Sequence, residues 1–513
     1  MPRAAVNTLA NFAGSAISQI TNIGFAIVYF RVLGSESYGL IGFLVTLLQL
    51  GNYIADMGIG RVVVRELARR AHAPDAADEI RDVVFTLQFV SVTLSICIGI
   101  STALGANWLA EHWLVLENTP QRSASQAIIL MAAIAVLQIP RSISLEALRG
   151  LQEQVLSNVL VSCFSVGRGL VTVFALSFFS ATVTMYLSTQ IAISLMETCA
   201  ITGIAWLRLP KGSRLPRLSL TIIRKTWAFA AADGAATIIG ALTFLGDRIL
   251  LSRLLPLDSF GSYVFCTSVA DSLGRLSGPF TNAFYPHFVA LIARKNEEQL
   301  SRDYLLVTRV VSALVISGAL VIAFYSKDII VLLLRNPEIS ASFAIVMALR
   351  SIANMFNSFL QMPHVLQLAT GLSSLWLKVN VASICIYLPC IQFLTPRFGI
   401  VTPAALWLVV NVLYIFPMTL GTHNRVLKKD MWKWCYGSVI EPILIVTAIV
   451  GGSKLLAPHF VTWFVTIPWL GMTAALSAAA VVLSSARTRG LAFSGLHFIR
   501  NCMTWAVSRL RAV

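Results

Sequence analysis

Long apolar runs separated by short polar turns set the pattern of this chain. Roughly fourteen runs approach the ~20 residues that cross a bilayer as a helix. Six lie near 9–31, 38–60, 83–105, 125–146, 156–179 and 182–207, and six more near 227–251, 260–283, 304–326, 340–363, 374–395 and 400–422. A further pair lies near 437–457 and 462–485. Pro140, Pro363, Pro389 and Pro417 fall where proline bends or ends a helix. The pattern predicts an all-α, polytopic membrane protein with about 14 transmembrane helices.

A repeated turn divides the pattern in two. Arg31-Val-Leu-Gly-Ser-Glu-Ser-Tyr-Gly39 returns as Arg253-Leu-Leu-Pro-Leu-Asp-Ser-Phe-Gly261. Arginine, leucine, serine and glycine keep their places, Glu36 matches Asp258, and Tyr38 matches Phe260. Each copy follows one apolar run and leads into another, so each reads as a tight turn between spanning helices. A period of about 222 residues indicates homologous halves. Loop charge sets both turns on one side, so the halves are expected to be two parallel six-helix bundles plus a C-terminal helix pair. The expected organisation is an N-terminal bundle over 1–207, a basic linker over 208–226 and a C-terminal bundle over 227–425, then the additional pair over 437–485 and a basic tail over 486–513.

Composition agrees with a bilayer solvent. Hydrophobic residues make up 57% of the chain and charged residues 12%, with a mean hydropathy of +0.77, whereas soluble domains carry about 25% charged residues. The formal charge of +16 would suggest nucleic acid in a soluble chain, but here basic loops account for it and no nucleic acid is implied. With the N-terminus inside, one face receives Arg3, the 61–81 and 208–225 clusters, Arg149, Arg294, Lys295, Arg302, the 425–433 cluster and the tail. The other face receives Arg122, Arg253, Lys327, Arg335 and Arg397. That imbalance, roughly 25 against 5, sets both termini in the cytoplasm. The first run carries Asn11, Gln19, Thr21 and Asn22 and passes straight into the first turn, so it is expected to remain as a helix rather than act as a cleaved signal peptide. The eight cysteines are scattered through apolar runs without paired or metal-like spacing and read as packing residues.

Two basic segments allow a membrane-surface role. In 208–225, six basic residues occur with Pro210, Pro216 and no acid; its later part, 218–227, reads as either a short amphipathic surface helix or a solvated linker. The 487–513 stretch interleaves arginines with Phe498, Trp505 and other apolar residues, as an interfacial helix or a disordered tail would. These segments are candidate contacts for acidic lipids and for partner assembly proteins.

Residues 10–70 resemble the start of the polysaccharide-biosynthesis flippases, the Wzx-type (O-antigen flippase) branch of the multidrug/oligosaccharidyl-lipid/polysaccharide exporter superfamily. The matching features are polar Asn11, Gln19 and Asn22, the first repeated turn, and Ala55-Asp-Met-Gly-Ile-Gly60 ahead of Arg65 and Glu66. They continue at Gly246-Asp-Arg-Ile-Leu250, Phe260-Gly-Ser-Tyr263 and Pro286. The resemblance implies paired six-helix bundles around a cavity that opens alternately to each side. It also implies an undecaprenyl-pyrophosphate-linked oligosaccharide as cargo, moved across a bacterial inner membrane for surface polysaccharide synthesis. The alternatives are a multidrug or metabolite exporter of the same superfamily and, ranked lower, a membrane polysaccharide polymerase or ligase.

Ionisable groups inside the spans are the informative residues, because each costs about 2.5–3.5 kcal/mol at a helix centre. Arg168, Arg275 and Arg350 lie near the middle of their runs, and Lys378 lies toward one end. The arginines are candidates to converge on a pyrophosphate, which guanidinium binds in a bidentate manner; Arg248 and Lys378 join them as candidate cavity cations. The competing reading for Arg275 is pairing with Asp271 at i,i+4, whereas Arg168 and Arg350 have no such local partner. Glu197, Asp247 and Asp271 are candidates for proton or sodium coupling, and Asp247 beside Arg248 reads equally as a local pair, a substrate contact or an ion site. Asp56 and Asp233 lie nearer the ends of their runs. Arg31, Gly39, Arg253 and Gly261 read as structural parts of the repeated turn. No cofactor is expected: P-loop, GxSxG and HExxH motifs are missing, and the largest outer loop, about 106–124, is too short for a catalytic domain of 50 residues or more.

Overall fold

A computed structural model describes residues 3–70, 77–334, 337–371, 373–428, 430–458, 462–485 and Arg489. The rest of the 487–513 stretch, Arg335, and the side chains of Asn11 and Asp233 lie outside the described residues.

The helices follow in order: α1 (Arg3–Leu33), α2 (Ser35–Asp56), α3 (Ile59–Arg70), α4 (Ala77–Leu104), α5 (Ala106–Trp108), α6 (Gln121–Gly150), α7 (Gln154–Phe178), α8 (Val183–Arg208), α9 (Leu220–Leu254) and α10 (Leu257–Asp271). Then come α11 (Gly278–Ala293), α12 (Glu297–Phe324), α13 (Ser326–Leu334), α14 (Pro337–Phe359), α15 (Gln361–Ala369), α16 (Ser373–Phe398), α17 (Thr402–His423), α18 (Met431–Trp434), α19 (Glu441–Leu455) and α20 (Trp463–Ser484). Among the described residues, 11 helical segments are long and apolar enough to cross a membrane. The remaining expected crossings are occupied by α1, by α9 and by α10 followed by α11. The chain is all-α and polytopic. It divides into two compact units, one comprising Met1–Phe265 with Asn380–Gly399 and the other Cys266–Val379 with Ile400–Val513.

Local chemistry explains most boundaries. Thr182 caps α8 by accepting from the Met185 amide at 3.2 Å, and Asn296 caps α12 through Gln299 at 3.1 Å. Pro279, Pro403 and Pro442 sit in first turns, where the missing amide is no loss. Positive φ at Met57 and Gly58 turns the chain between α2 and α3. The sequence pattern misses one break: the 260–283 run is interrupted after Asp271 by a 3-10 turn, Ser272–Ser277. The 437–457 run starts earlier, at Met431, and passes through a π-helical turn at Cys435–Ile440.

In the first unit α6 packs between α4 and α8, α1 packs on α7, and α2 packs on α9. A tight core joins α3, α4, α6 and α9 through Ile59, Val63, Leu67, Val83, Leu87, Ile143 and Ala230. Beside it Glu66 is buried; burial pushes its carboxyl up, but hydrogen bonds from Arg70 and Arg65 outweigh this and hold it below the usual carboxylate range.

The two repeated turns meet in this unit. A methyl group added at Gly39 would overlap the Leu257 carbonyl oxygen, and one added at Gly261 would overlap the Ser35 carbonyl oxygen. Leu257 is the counterpart of Ser35, so the crossing is reciprocal. Gly42 likewise packs on its own counterpart, Val264. The 106–120 segment lies against both turns. Glu36 accepts from the Asn118 and Thr119 amides at 3.0 and 2.8 Å, the Leu257 amide bonds to the Val115 carbonyl at 3.2 Å, and the Arg253 guanidinium lies 5.4 Å from the Trp113 ring centroid.

The 208–225 segment takes a form that neither sequence reading contained. Residues 209–219 are non-helical and strapped to the start of α4: Arg214 donates to Asp82 at 3.1 and 2.5 Å, the Arg217 amide to Asp82 at 2.7 Å, and the Ser219 amide to Thr86 at 3.1 Å. From Leu220 the chain is already in α9, which therefore absorbs most of the expected surface helix.

In the second unit α14 packs between α12 and α17, and α12 also carries the C-terminal pair α19 and α20. Buried Arg309 fixes that pair, donating to Glu441 at 2.7 and 3.0 Å, to Ser484 at 2.7 Å and to the Gly437 carbonyl in the π-helical turn.

Candidate functional site

Three helices of the first unit bring opposite charges together within apolar sequence. Arg168 on α7 and Arg141 on α6 donate to the two different oxygens of Glu197 on α8. The Glu197 side chain is 3% exposed, and the arginines are 22% and 23% exposed. Arg168 also donates to Gln190 at 2.6 Å and to Ser194 at 3.3 Å, both one face back along α8. Gln138 on α6 reaches the same Ser194 at 2.9 Å, and Gln190 reaches Thr172 on α7 at 3.0 Å. The Arg141 Nε is buried without a hydrogen-bond partner. Alongside stand Tyr29 of α1 and Tyr186 of α8, edge to face with ring centroids 5.3 Å apart. Two guanidinium groups against one carboxylate leave the cluster with a net positive charge, held by polar side chains and flanked by aromatics. Such a cluster suits an oxyanion.

The second unit builds a different arrangement. Arg350 on α14 is 1% exposed and donates from Nε and Nη2 to Asp271 at 2.8 and 3.3 Å. Its guanidinium carbon lies 4.8 Å from the Trp407 ring centroid. Asn354 donates to Asp271 at 2.8 Å and accepts from the Trp407 indole at 3.1 Å. Asp271 is the last residue of α10 and Arg275 belongs to the 3-10 turn that follows. The α-helical i,i+4 face assumed for that pair is therefore not formed. Arg275 is exposed.

The other expected residues are dispersed over these units. Asp247 is 1% exposed and accepts from the Tyr263 hydroxyl at 2.8 Å, and Arg248 beside it is buried. Lys378 on α16 is exposed, as are Arg31 and Arg253 at the repeated turns. Gly39 and Gly261 form the crossing described above. Among the described residues no three or more His, Cys, Asp or Glu side chains are grouped to hold a metal ion.

Sequence reasoning missed Arg141 and Arg309. Arg141 follows Pro140 within a run, and Arg309 lies only a turn or so inside one, where a basic side chain ordinarily reaches the interface. The available signal was an acid inside an apolar run of another helix, Glu197 in one case and Glu441 in the other, that needs a counter-charge. Cys97, Cys163, Cys199 and Cys385, expected as packing residues, are instead exposed on helix surfaces; Cys266 is buried.

A family model described as polysaccharide biosynthesis protein matches residues 4–292. No curated protein matches the chain. Among solved structures, the lipid II flippase MurJ superposes with a TM-score of 0.70 at 11% identity, covering 95% of this chain and 99% of that one. A multidrug resistance MATE family transporter of the MOP superfamily gives 0.65 at 12%, covering 83% and 99%. A MOP superfamily transporter from Pyrococcus furiosus gives 0.59 at 13%, covering 83% and 96%. At these identities the likeness is one of fold.

Proposed function

The chain belongs to the polysaccharide biosynthesis protein family, and from that membership we propose that it is a flippase for undecaprenyl-pyrophosphate-linked oligosaccharides. It works by alternating access in a bacterial inner membrane with both termini in the cytoplasm, and it supplies surface polysaccharide assembly. The observation that carries this reading is the Arg141–Glu197–Arg168 cluster. A net positive group set in apolar helices is costly unless an anion visits it, and a lipid-borne pyrophosphate is an anion that can arrive from the bilayer. The flanking polar and aromatic side chains suit sugar hydroxyls and ring faces. The MurJ likeness supports the reading, since that protein is a lipid II flippase.

Arg168 and Arg141 take the principal headgroup role. Arg248, in the same unit, is a further candidate headgroup cation, and Arg275 and Lys378 are candidate cations of the second unit. Enclosed by Asp271 and Trp407, Arg350 serves mainly to hold Asp271, which with Asp247 and Glu197 is a carboxylate available for proton or sodium coupling.

The second reading, a drug or metabolite exporter, is favoured by the MATE likeness. A deletion strain separates the two. Loss of surface polymer with intact lipid-linked units retained in the inner leaflet, restored by the native gene and not by Arg168→Ala at equal protein level, is the expected result. Normal polymer in the deletion strain would refute the flippase reading and favour the exporter.

A further inference from the structure

Glu197 has both oxygens engaged by guanidinium groups from two other helices and is almost wholly enclosed, at 3% exposure. Each arginine gives one guanidinium nitrogen to one oxygen, and two guanidinium groups set around a pair of oxygens also suit a phosphate. Arg141 and Arg168 keep 23% and 22% of their side chains exposed, so a ligand can approach the arginines where it cannot approach the acid. The buried Arg141 Nε still has a donor to give.

A diphosphate reaching this cluster brings at least two negative charges into a low-dielectric site where one is already present. Like charges competing for the same guanidinium groups repel strongly there. Arg141 from α6 and Arg168 from α7 contact Glu197 directly; around them the cluster holds Gln138 from α6, Thr172 from α7, and Ser194 and Gln190 on the helix of Glu197, with Tyr29 and Tyr186 alongside. Arginine does not release its proton and tyrosine is neutral near pH 7. The acid is therefore the group among them that can adjust the charge. Two guanidinium groups and a doubly charged diphosphate balance when Glu197 is neutral.

We infer that Glu197 is a built-in stand-in for the diphosphate: substrate binding displaces its carboxylate from Arg141 and Arg168, and the carboxylate takes one proton from solvent. Ligand and proton then bind together, and each strengthens the other's binding by the same factor. This rests on the headgroup reading above and adds to it the chemistry by which the site answers its cargo. Diphosphate affinity weakens as pH rises, by up to about tenfold per pH unit while the linkage operates.

The test uses the full chain in phosphatidylcholine nanodiscs with farnesyl diphosphate as the probe. Calorimetric titration in two buffers of different ionisation heat counts the protons taken up. The native chain is expected to take up about one proton more per ligand than Glu197→Gln, which still binds because both arginines remain and their competitor is gone. Glu197→Asp, which keeps an acid, is expected to retain the uptake. Equal proton counts for the native chain and Glu197→Gln, with both binding, would overturn the stand-in role while leaving the headgroup site in place. A native affinity that follows only the titration of farnesyl diphosphate itself between about pH 6 and pH 8 would do the same without any variant. Failure of the native chain to bind the probe would overturn the headgroup reading and the inference together.

Discussion

The crossing of the repeated turns can be tested with a single methyl group. At Gly39 that methyl overlaps the Leu257 carbonyl oxygen and lies 3.0 Å from the Gly261 amide nitrogen. At Gly261 it overlaps the Ser35 carbonyl oxygen and lies 2.7 Å from the Gly39 amide nitrogen. Both obstacles are backbone, so no rotamer change relieves the clash and the helices must separate. Overpacking of this kind costs about 1–3 kcal/mol; with main chain on the far side, Gly39→Ala is expected near the upper end. About 2 kcal/mol corresponds to a ~30-fold shift in the unfolding equilibrium. Gly203→Ala on α8 is the control, because its methyl meets nothing within 4 Å and alanine is the better helix former by about 1 kcal/mol. Unfolding in detergent, followed by tryptophan fluorescence, should show Gly39→Ala and Gly261→Ala clearly weakened and Gly203→Ala unchanged or firmer. The double variant Gly39→Ala/Gly261→Ala should lose less than the sum of the singles, since the helices need separate only once. Native-like unfolding of Gly39→Ala, beside an unaffected control, would refute the close backbone crossing.

Three further outcomes follow from other contacts. Arg350→Ala removes the buried guanidinium that donates twice to Asp271 and should lose about 3–5 kcal/mol, of which Asp271→Asn in the same chain should restore part; no restoration would mean that packing on Trp407 dominates. Arg214→Ala removes the guanidinium that ties 209–219 to Asp82, so trypsin should cut at Lys211 or Arg217 faster than in the native chain, with equal rates arguing against the strap. The lowered proton affinity of Glu66 means that its charged form is favoured in the folded chain. Its contribution is thus present above the ordinary carboxylate range and is lost as pH falls through the folded value. Glu66→Gln should accordingly be less stable than the native chain at neutral pH by about 1.5–3 kcal/mol, and the difference should close in acid; a constant difference would point to shape rather than charge.

Much of the fold was legible because the bilayer imposes length and apolarity on every crossing, and both are visible in a bare sequence. Legibility failed where a helix departs from regular geometry. The 3-10 turn after Asp271 has no strong local marker beyond Gly274 and Gly278, and it replaces the α-helical spacing on which the pairing argument for Arg275 was built. The linker was read by composition alone, although its basic residues answer Asp78 and Asp82 some 130 positions earlier. At the candidate site, depth picked out Arg168 and Glu197 one at a time. Their pairing, and the second arginine at 141, depend on how α6, α7 and α8 face one another, which periodicity in any single run does not encode.

The reciprocal contact of Gly39 and Gly261 also constrains how a duplicated chain can diverge. Mutation reaches one copy at a time, and the first side chain to appear at either glycine meets a backbone held in place by the other copy. The two positions are consequently locked together, each policing the other. The acids of the same motif carry no such mutual restraint and have parted company: Glu36 now grips the amides of Asn118 and Thr119, whereas Asp258 accepts from the hydroxyl of Ser35. The two copies thus stay alike where backbone meets backbone and differ in the side chains set around that crossing.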